Sequence, residues 1–524
     1  MRVLLINPEL PPSFWTLKET CRNLGSKALL PPLGLITVAA LLPREWQLRL
    51  VDLNTSSPAE IAWDWADLVM ITGMFVQRAG VLSLIREAKQ RGKTVVVGGH
   101  YLTSVPHESQ EAGADFLVQG EGENTIPLLL AALREGQTQG LFRQEERPDM
   151  AASPIPRFDL LKLENYAVLN IQTSRGCPYD CEFCDIVNLF GRKPRYKKPE
   201  QILAELEAIY QLGWRQDIFI SDDNFIGNKS KARAILNRLI PWMKAHDEPF
   251  SFWTQASVNL GQDLAMIDLL TEANFSTVFV GVESPEEELL TRTGKYQNLG
   301  NPLEQSLAAI GANGLSMVAS FIIGFDQEEK GAGERICDFV EQNSLPLVMV
   351  NTLEVLPNTR LWDRLQREGR LLDDQAMGHF QGGKLNYLPT RPAAEIISEH
   401  AAALVRLYEP RGFLRRAYRH ILAMRPTRRA LARQRGENPQ VAAIPTGPAK
   451  SLRVQGLAGL WSLTWRFGIQ TDCRRQFWSQ LLGIWRRNPS RLKKYLITCG
   501  FGENLFEIRE DILRQFRKVK ALSK

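Results

Sequence analysis

The feature that most constrains the fold is a series of short apolar strands that alternates with helical stretches over residues 168–353. Six β-strands are predicted at 168–173, 218–221, 250–255, 277–282, 317–323 and 347–353. Helices are predicted between them at 199–211, 229–245, 264–273, 302–313 and 331–342. Parallel strands need such crossovers, so the series predicts a partial (β/α)6 barrel of TIM type, with functional groups at the carboxyl ends of its strands.

A second α/β unit is predicted at residues 1–140. Strands are expected at 3–6, 48–52, 68–72, 94–97 and 116–118, with helices at 35–42, 81–91 and 125–134. This pattern is typical of a doubly wound parallel sheet covered by helices, in which ligands bind beyond the carboxyl ends of the strands. Gly98-Gly99 and Gly120-Glu121 follow the fourth and fifth strands there. Each glycine pair is also compatible with an ordinary turn.

The rest of the chain of 524 residues divides into a linker and a helical end. Residues 141–166 are predicted as a linker, 167–389 as the barrel domain and 390–524 as a C-terminal α-helical region. A loop is expected at 436–448. Beyond it, aromatic and aliphatic residues alternate with arginines, which is compatible with a membrane interface or with a core packed on the barrel. The apolar residues are Leu457, Leu460, Trp461, Leu463, Trp465, Phe467, Phe477, Trp478, Leu481, Leu482 and Trp485.

Three cysteines with the spacing CxxxCxxC follow the first barrel strand. They are Cys177, Cys181 and Cys184, and neither a histidine nor a fourth cysteine lies close to them in the sequence. Three soft thiolates suit an iron–sulfur cluster with one open iron, because a structural zinc site is closed by four ligands. A zinc site completed by a distant residue and three buried structural cysteines are the alternatives.

The segment Arg175-Gly176-Cys177-Pro178-Tyr179-Asp180-Cys181-Glu182-Phe183-Cys184 resembles the radical S-adenosylmethionine (SAM) superfamily. The resemblance implies that the cysteines hold a 4Fe-4S cluster whose open iron chelates SAM, with Phe183 near the adenine. It further implies contacts at the strand ends: Asp222 or Asp223 with the SAM amino group, Glu283 and Ser284 with the ribose or methionine moiety, and Gly324 with adenine. As an alternative, Asp222-Asp223-Asn224 would cap the following helix.

The first 140 residues resemble the cobalamin-binding domain that precedes many radical SAM domains. The segments that carry the resemblance are Pro31-Pro32-Leu33-Gly34-Leu35, Val51-Asp52, Gly98-Gly99 and Gly120-Glu121-Gly122-Glu123. The Asp-x-His-x-x-Gly motif that supplies a cobalt-ligating histidine in mutase-type domains is absent from this sequence. His100 is therefore expected to form hydrogen bonds at its strand end rather than to ligate cobalt.

More narrowly, the chain is similar to the subgroup that contains the hopanoid C-2 methylases, through segments 12–15, 154–161, 184–186, 191–195, 222–229 and 356–359. The resemblance implies an enzyme in which a 5′-deoxyadenosyl radical removes hydrogen from an unactivated carbon and methylcobalamin delivers a methyl group. The expected substrate is an apolar or lipid-like small molecule. A radical oxidation or cyclisation without methyl transfer is the alternative within this class.

The composition indicates the cellular compartment of the protein and the kinds of partner it binds. The chain has seven cysteines, no apolar run long enough to span a bilayer and no signal peptide, so a reducing cytoplasm is expected, with peripheral contact at the inner membrane as an option. The resemblance implies an electron donor such as flavodoxin or ferredoxin. The arginine-rich stretch from Arg411 to Arg435 raises nucleic-acid binding as an alternative function, but no nucleic-acid partner is expected because no RNA-binding module is apparent.

Overall fold

The computed structural model describes residues 1–11, 13–372, 384–436 and 464–522. Part of the predicted loop at 436–448 lies outside the described residues. So do the apolar residues Leu457, Leu460, Trp461 and Leu463 and the first residue of segment 12–15.

The N-terminal sheet has six parallel strands in the order β2-β1-β3-β4-β5-β6. The chain starts near one edge, steps back to β2 and then runs outward from β3, which is the doubly wound arrangement expected from the sequence. The strands are β1 Arg2–Asn7, β2 Gln47–Asp52, β3 Leu68–Thr72, β4 Thr94–Gly98, β5 Phe116–Gln119 and β6 Gly140–Arg143. The helices are α1 Lys18–Asn23, α2 Leu33–Leu41, α3 Arg78–Gln90, α4 His100–Ser104, α5 Pro106–Glu111 and α6 Gly122–Arg134.

Both faces of this sheet are buried, because successive side chains of a strand point to opposite sides. Leu4 and Ile6 of β1 pack in one apolar cluster with α3 and α4, whereas Val3 and Leu5 pack in another with α2 and α6. Continuous apolar strands such as these are typical of parallel sheets covered on both faces.

β6 was not predicted from the sequence. It pairs in parallel with β5, although residues 141–166 were expected to form a linker. The strand is only four residues long, begins with glycine and lies at the edge of the sheet with alternate residues exposed, so it lacks the apolar run that marks the other strands. The linker prediction is wrong for residues 141–143.

The second sheet also has six parallel strands, in the order β14-β13-β12-β11-β10-β7. Neighbours in the sheet are consecutive βα units, and β7 and β14 form its two edges, so this is a barrel that is open on one side. Its strands are β7 Leu169–Ile171, β10 Asp217–Ile220, β11 Ser251–Gln255, β12 Phe275–Glu283, β13 Ser316–Ile323 and β14 Leu347–Thr352, and β8 Ser174–Arg175 and β9 Arg195–Tyr196 form a separate ladder. The helices are α7 Ile186–Phe190, α8 Pro199–Gln211, α9 Lys229–Ala245, α10 Leu264–Glu272, α11 Glu287–Arg292, α12 Leu303–Ala312, α13 Ala332–Gln342 and α14 Arg360–Arg367.

The C-terminal region is helical, as the sequence predicts. Its helices are α15 Ala393–Leu407, α16 Pro410–Ala423, α17 Arg428–Gln434, α18 Arg474–Arg487 and α19 Leu492–Leu522. α15 packs on α13 and β14, while α16, α18 and α19 pack together and α19 also contacts α1. In the described part of the chain, no helix is both long and apolar enough to cross a membrane.

Candidate functional site

The cysteine loop begins at the β8–β9 ladder, beyond the carboxyl end of β7. Gly176, directly before Cys177, has φ of 98°, in the left-handed region that favours glycine. A Cβ atom on Gly176 would lie 2.8 Å from the carbonyl oxygen of Gly191, and that oxygen accepts a hydrogen bond of 3.2 Å from the Cys177 amide. The Arg-Gly-Cys order therefore has a physical reason, because only glycine lets the two ends of the loop close.

The chemistry of the three thiols fits an iron–sulfur cluster. Cys177, Cys181 and Cys184 are not disulfide-bonded. Burial raises the pKa of Cys177 and of Cys184, so these thiols are poor nucleophiles that a bound metal would deprotonate. Among residues the structure describes, no three His, Cys, Asp or Glu side chains form a group that could hold a metal ion, so assignment of these cysteines as ligands rests on their chemistry and spacing.

A buried lysine that the sequence analysis missed lies beside this loop. Lys295 Nζ forms an ion pair with Glu283 Oε1 at 2.6 Å and lies 5.9 Å from the centroid of the Phe183 ring. Burial lowers the pKa of Lys295, but the charges of Glu283 and Cys181 outweigh that effect and raise it overall. The ammonium therefore stays charged, and its charge lowers the pKa of Cys177 in opposition to the larger effect of burial.

Glu283, predicted to contact SAM, occupies a strained position at the end of β12. Its φ is 66°, and the pairing with β13 shifts register between Gly281 and Glu283. A Cβ atom on Gly281 would lie 2.3 Å from Glu283 Oε1 and 2.9 Å from Lys295 Nζ, so glycine makes room for the ion pair. Ser284 is buried, and its Oγ accepts a hydrogen bond of 3.1 Å from the Glu286 amide at the start of α11. SAM contacts by Glu283 and Ser284 stay predictions.

The short turn after α11 carries two further residues that sequence reasoning did not identify. Gln297 Nε2 lies 3.5 Å from Cys181 Sγ, at hydrogen-bonding distance for sulfur. Gln297 Oε1 and Asn298 Oδ1 are buried and have no hydrogen-bond partner among the described residues. Buried acceptors normally have partners, so these two fit a bound group that donates hydrogen bonds beside the cysteine loop.

The carboxylates at the end of β10 have different surroundings. Asp222 is fully buried and accepts four hydrogen bonds, from the amides and hydroxyls of Thr173 and Ser174, at 2.5–3.0 Å. Asp223 accepts one, of 2.8 Å, from the Gly176 amide, and burial raises its pKa to about 7. Asp222 therefore holds the base of the cysteine loop, and Asp223 has the acceptor capacity left for an ammonium group.

The alternative role for this cluster, as a helix cap, is wrong. The N-cap of α9 is Asn228, whose side chain accepts a hydrogen bond from the Lys231 amide. Asn224 instead donates to Ser257 Oγ at 3.1 Å and so joins β10 to the loop after β11.

Gly324, predicted to lie near adenine, follows β13 with φ of 108°. A Cβ atom there would lie 2.8 Å from the hydroxyl oxygen of Tyr387, which donates to the Gly324 carbonyl oxygen. The Gly324 amide in turn donates to Glu328 Oε2 at 2.8 Å. The next residue, Phe325, lies with its ring centroid 5.7 Å from that of Phe183, so two aromatic rings are adjacent where the adenine is predicted.

In the N-terminal domain, the predicted glycines occupy the carboxyl ends of β4 and β5. Gly98 is the last residue of β4. Gly99 has φ of 95°, and a Cβ atom on it would lie 2.5 Å from Thr72 Oγ1. Gly120 has φ of 103°, and its amide donates to Thr103 Oγ1 at 3.1 Å. These half-buried glycines lie at the carboxyl ends of the strands, where cobalamin is predicted to bind.

His100 faces the barrel domain. Its ring packs edge-on against Phe190 of α7, with centroids 5.4 Å apart. His100 also interacts electrostatically with Asp185, the residue after Cys184. The end of β4 therefore lies close to the end of the cysteine loop.

Glu121 connects the two domains through its side chain. Its carboxylate forms ion pairs of 2.6 Å with both Arg175 and Arg195, while Glu123 pairs with Arg175 at 2.8 Å. All four side chains are largely buried. The predicted contact of Glu121 with a cofactor would thus have to use its backbone. The arginines were missed because nothing local marks them, although Arg175 and Arg195 flank the cysteine loop.

Comparison with protein families supports this two-domain arrangement. A B12 binding domain model matches residues 23–130, a radical SAM superfamily model matches residues 171–340, and a domain of unknown function (DUF4070) matches residues 359–518. An uncharacterized methyltransferase of Synechocystis sp. (strain ATCC 27184 / PCC 6803 / Kazusa) is 46% identical over 98% of this chain and 93% of its own length. The hopanoid C-2 methylase of Rhodopseudomonas palustris (strain TIE-1) is 33% identical over 91% of this chain and 88% of its own length.

Solved structures share the fold at low identity. The radical S-adenosylmethionine methyltransferase TsrM from Kitasatospora setae, with cobalamin and a [4Fe-4S] cluster bound, superposes with a TM-score of 0.58 at 18% identity and covers 76% of this chain and 84% of its own. The cobalamin-dependent S-adenosylmethionine radical enzyme OxsB, with aqua-cobalamin and SAM bound, superposes with a TM-score of 0.57 at 16% identity. The match covers 99% of this chain and 80% of the OxsB chain. The chain therefore belongs to the B12-binding radical SAM methyltransferases, enzymes that use a 4Fe-4S cluster, SAM and cobalamin.

Proposed function

We propose that this methyltransferase adds a methyl group to an unactivated carbon of an apolar, lipid-like small molecule. The observation that carries the proposal is the apolar lining of the barrel interior. Phe219, Trp253 and Phe279, on three neighbouring strands, line a cavity there whose exposed surface is almost entirely apolar. A pocket of this composition selects an apolar ligand.

The names of the relatives agree with this substrate class. Besides the hopanoid C-2 methylase, they include a hopanoid C-3 methylase and a bacteriochlorophyllide d C-8(2)-methyltransferase, at 27% and 23% identity over 65% and 64% of this chain. These names specify small molecules as methyl acceptors.

In this proposal, residues of both domains hold the cofactors. Cys177, Cys181 and Cys184 bind the cluster, Asp223 accepts hydrogen bonds from the SAM amino group, and the Phe183 ring contacts its adenine. The backbone at Gly99 and Gly120 contacts cobalamin. When bound, the cluster and cobalamin supply radical formation from SAM and the methyl group, and an electron donor such as flavodoxin or ferredoxin reduces the cluster.

The test is an anaerobic assay of the reconstituted enzyme with SAM, a reductant and a bacterial lipid extract. Joint, substrate-dependent formation of S-adenosylhomocysteine and 5′-deoxyadenosine, with a lipid gaining one methylene by mass spectrometry, supports the proposal. Formation of 5′-deoxyadenosine with a modified lipid that has gained no methylene would establish the alternative, a radical oxidation or cyclisation. Cys177→Ala should abolish both SAM products.

We further propose that the outer face of α18 contacts an anionic membrane surface. Trp478 and Leu482 are 45% exposed and Trp485 is 60% exposed, at a spacing that places them on one helix face. Phe477 and Ile484, on a neighbouring side of the helix, are buried, as the alternative of a packed core requires. Arginines flank the exposed face and form no ion pair within the described residues: Arg474, Arg475, Arg486 and Arg487. Tryptophan with arginine on one face matches the interface of an anionic bilayer.

Vesicle sedimentation tests this contact. The protein should sediment with vesicles that contain phosphatidylglycerol and much less with pure phosphatidylcholine. A Trp478→Ser/Trp485→Ser variant should lose this binding, whereas Leu264→Ser, which removes a side chain that is 53% exposed on another helix, should retain it. If the wild-type protein binds neither vesicle, another part of the chain or a protein partner covers this face and the membrane proposal is wrong.

The structure does not favour nucleic-acid binding by the arginine-rich stretch. Arg416 is buried and donates to backbone carbonyls, and Arg425 pairs with Asp268. Arg428 and Arg429 both pair with Glu248. These arginines attach the C-terminal helices to the barrel and so do not form a free cationic surface.

A further inference from the structure

The turn after α11 is attached both to the barrel sheet and to the cysteine loop. The Asn298 side chain donates hydrogen bonds of 3.1 and 3.0 Å to two carbonyl oxygens near the end of β12. On the other side, the Glu182 amide donates to the Thr293 carbonyl oxygen at 3.0 Å. Gln297 lies between these two attachments, so its side chain has a defined position beside the loop.

The buried side-chain amide of Gln297 has a single hydrogen-bond partner among the described residues, which is Cys181 Sγ at 3.5 Å from Nε2. Its Oε1 atom has no partner there. A thiol sulfur is a weak acceptor, whereas a thiolate that binds iron carries negative charge and accepts more strongly. Because a buried amide without a good partner is costly, the contact suits a metal-bound Cys181 better than a free thiol.

The chemistry of the sulfur determines which end of the amide faces it. A cysteine that ligates a metal is a thiolate and has no proton to donate. It can only accept, so the nitrogen of the Gln297 amide must face Cys181, as it does in the structure. In the described part of the chain, no other side chain donates a hydrogen bond to any of the three thiols of the loop.

We propose that Gln297 raises the reduction potential of the 4Fe-4S cluster by donating this hydrogen bond to Cys181. Hydrogen bonds to the sulfur ligands are among the factors that set the potential of such clusters. The reduced cluster carries one more negative charge than the oxidised cluster, so a donor at a ligand sulfur stabilises the reduced state more. A higher potential makes the cluster easier to reduce by a given electron donor.

The two neighbouring polar side chains of this turn do not replace Gln297. Lys295 Nζ forms an ion pair of 2.6 Å with Glu283, and a carboxylate this close offsets much of the effect of the ammonium charge on the cluster. The Asn298 amide uses its two hydrogens on backbone carbonyl oxygens. This inference rests on the proposed function in one respect, the assignment of Cys181 as a cluster ligand, and does not depend on the substrate.

A redox titration of the reconstituted enzyme, followed by electron paramagnetic resonance without substrate, tests this role. Gln297→Leu, which cannot donate, should lower the ratio of reduced to oxidised cluster at a fixed potential roughly tenfold, or about 59 mV for a one-electron couple. Gln297→Glu, which puts a carboxylate in place of the N–H donor, should lower it at least as much. Tyr296→Ser, at an exposed neighbouring position, should leave it unchanged. Wild-type ratios in both Gln297 variants at full iron content would overturn the proposal.

A measurement on the wild-type protein decides the case in which the Gln297 variants do not hold iron. Protein made by cell-free synthesis with glutamine that carries nitrogen-15 in its side-chain amide should show a nitrogen-15 coupling to the reduced cluster in pulsed electron paramagnetic resonance. A cluster without this coupling would overturn the role of Gln297 alone. Cys181→Ala should hold no 4Fe-4S cluster, and wild-type iron content in that variant would contradict the cluster site of the proposed function as well.

Discussion

Replacing Glu121 by glutamine is expected to weaken the contact between the two sheet domains. The Glu121 side chain is 3% exposed, and its carboxylate accepts hydrogen bonds of 2.6 and 3.1 Å from Arg195 and an ion pair of 2.6 Å from Arg175. Glutamine has nearly the same shape but no charge, so both guanidinium groups would lose a counter-ion in a largely buried place.

The expected loss is roughly 3 kcal/mol in the free energy of unfolding, at the low end for breaking a buried ion pair. The loss is at the low end of that range because Arg175 keeps its ion pair with Glu123, at 2.8 Å, in the variant. In a double-mutant cycle with Arg195→Met, the coupling energy between Glu121 and Arg195 should reach about 2 kcal/mol, since the pair shares two hydrogen bonds.

A surface pair of the same geometry provides the control. Arg2 donates hydrogen bonds of 2.8 and 3.2 Å to Asp67, but the two side chains are 46% and 44% exposed. Solvent screens such pairs, so Asp67→Asn and Arg2→Met should show a much smaller coupling. The free energies come from urea unfolding of both cycles, followed by circular dichroism. A coupling of Glu121 with Arg195 no larger than that of the surface pair would refute the reasoning.

Three further expectations test other parts of the site. Gly99→Ala should lower both the melting temperature and the amount of cobalamin retained on purification, because the new Cβ atom would lie 2.5 Å from a threonine hydroxyl. The control is Gly92→Ala, which is also at positive φ but has no atom within 4 Å of the added Cβ, so it should lose only the stability that backbone strain costs. Burial raises the pKa of Asp326, but two arginines outweigh it and lower the pKa overall. The charged Asp326 carboxylate therefore stabilises the folded protein above its pKa in the unfolded chain, and this stabilisation is lost as the pH falls through its pKa in the folded protein. Asp326→Asn should thus make the free energy of unfolding depend less on pH in the acid range. An unchanged dependence on pH would contradict this. Asp222→Asn should reduce the iron content after reconstitution, whereas Asp223→Asn should retain iron and weaken SAM binding roughly tenfold in equilibrium dialysis; the reverse pattern would contradict their assigned roles.

Much of the fold could be predicted because its signals are local. Strands such as β4 and β12 are runs of β-branched and aromatic residues bounded by glycine or polar residues, and both were located within a few residues of their observed ends. β6 was missed because an edge strand of four residues carries no such run. Likewise, the predicted strand at 168–173 contains β7 only at Leu169–Ile171, since Thr173 and the residues after it turn toward Asp222.

The details of the site depend on partners that are distant in the sequence. The cysteine spacing is visible locally, but Glu121 meets Arg195 across 74 positions and Lys295 meets Glu283 across a strand end and a helix. A carboxylate at the end of a strand looks the same in sequence whether it binds a ligand or an arginine. The distinction between Asp222 and Asp223 therefore required the hydrogen bonds, not the residue types.

Three consecutive residues at the base of the cysteine loop each attach to a different partner. Ser174 donates to Asp222 at the end of β10, Arg175 pairs with Glu121 and Glu123 of the N-terminal domain, and the Gly176 amide donates to Asp223. The loop position is thus determined by both sheets together, and opening the gap between the domains would break buried ion pairs at a cost of several kcal/mol. The ion pairs that position the cysteine loop between the two sheets therefore also hold the two domains together.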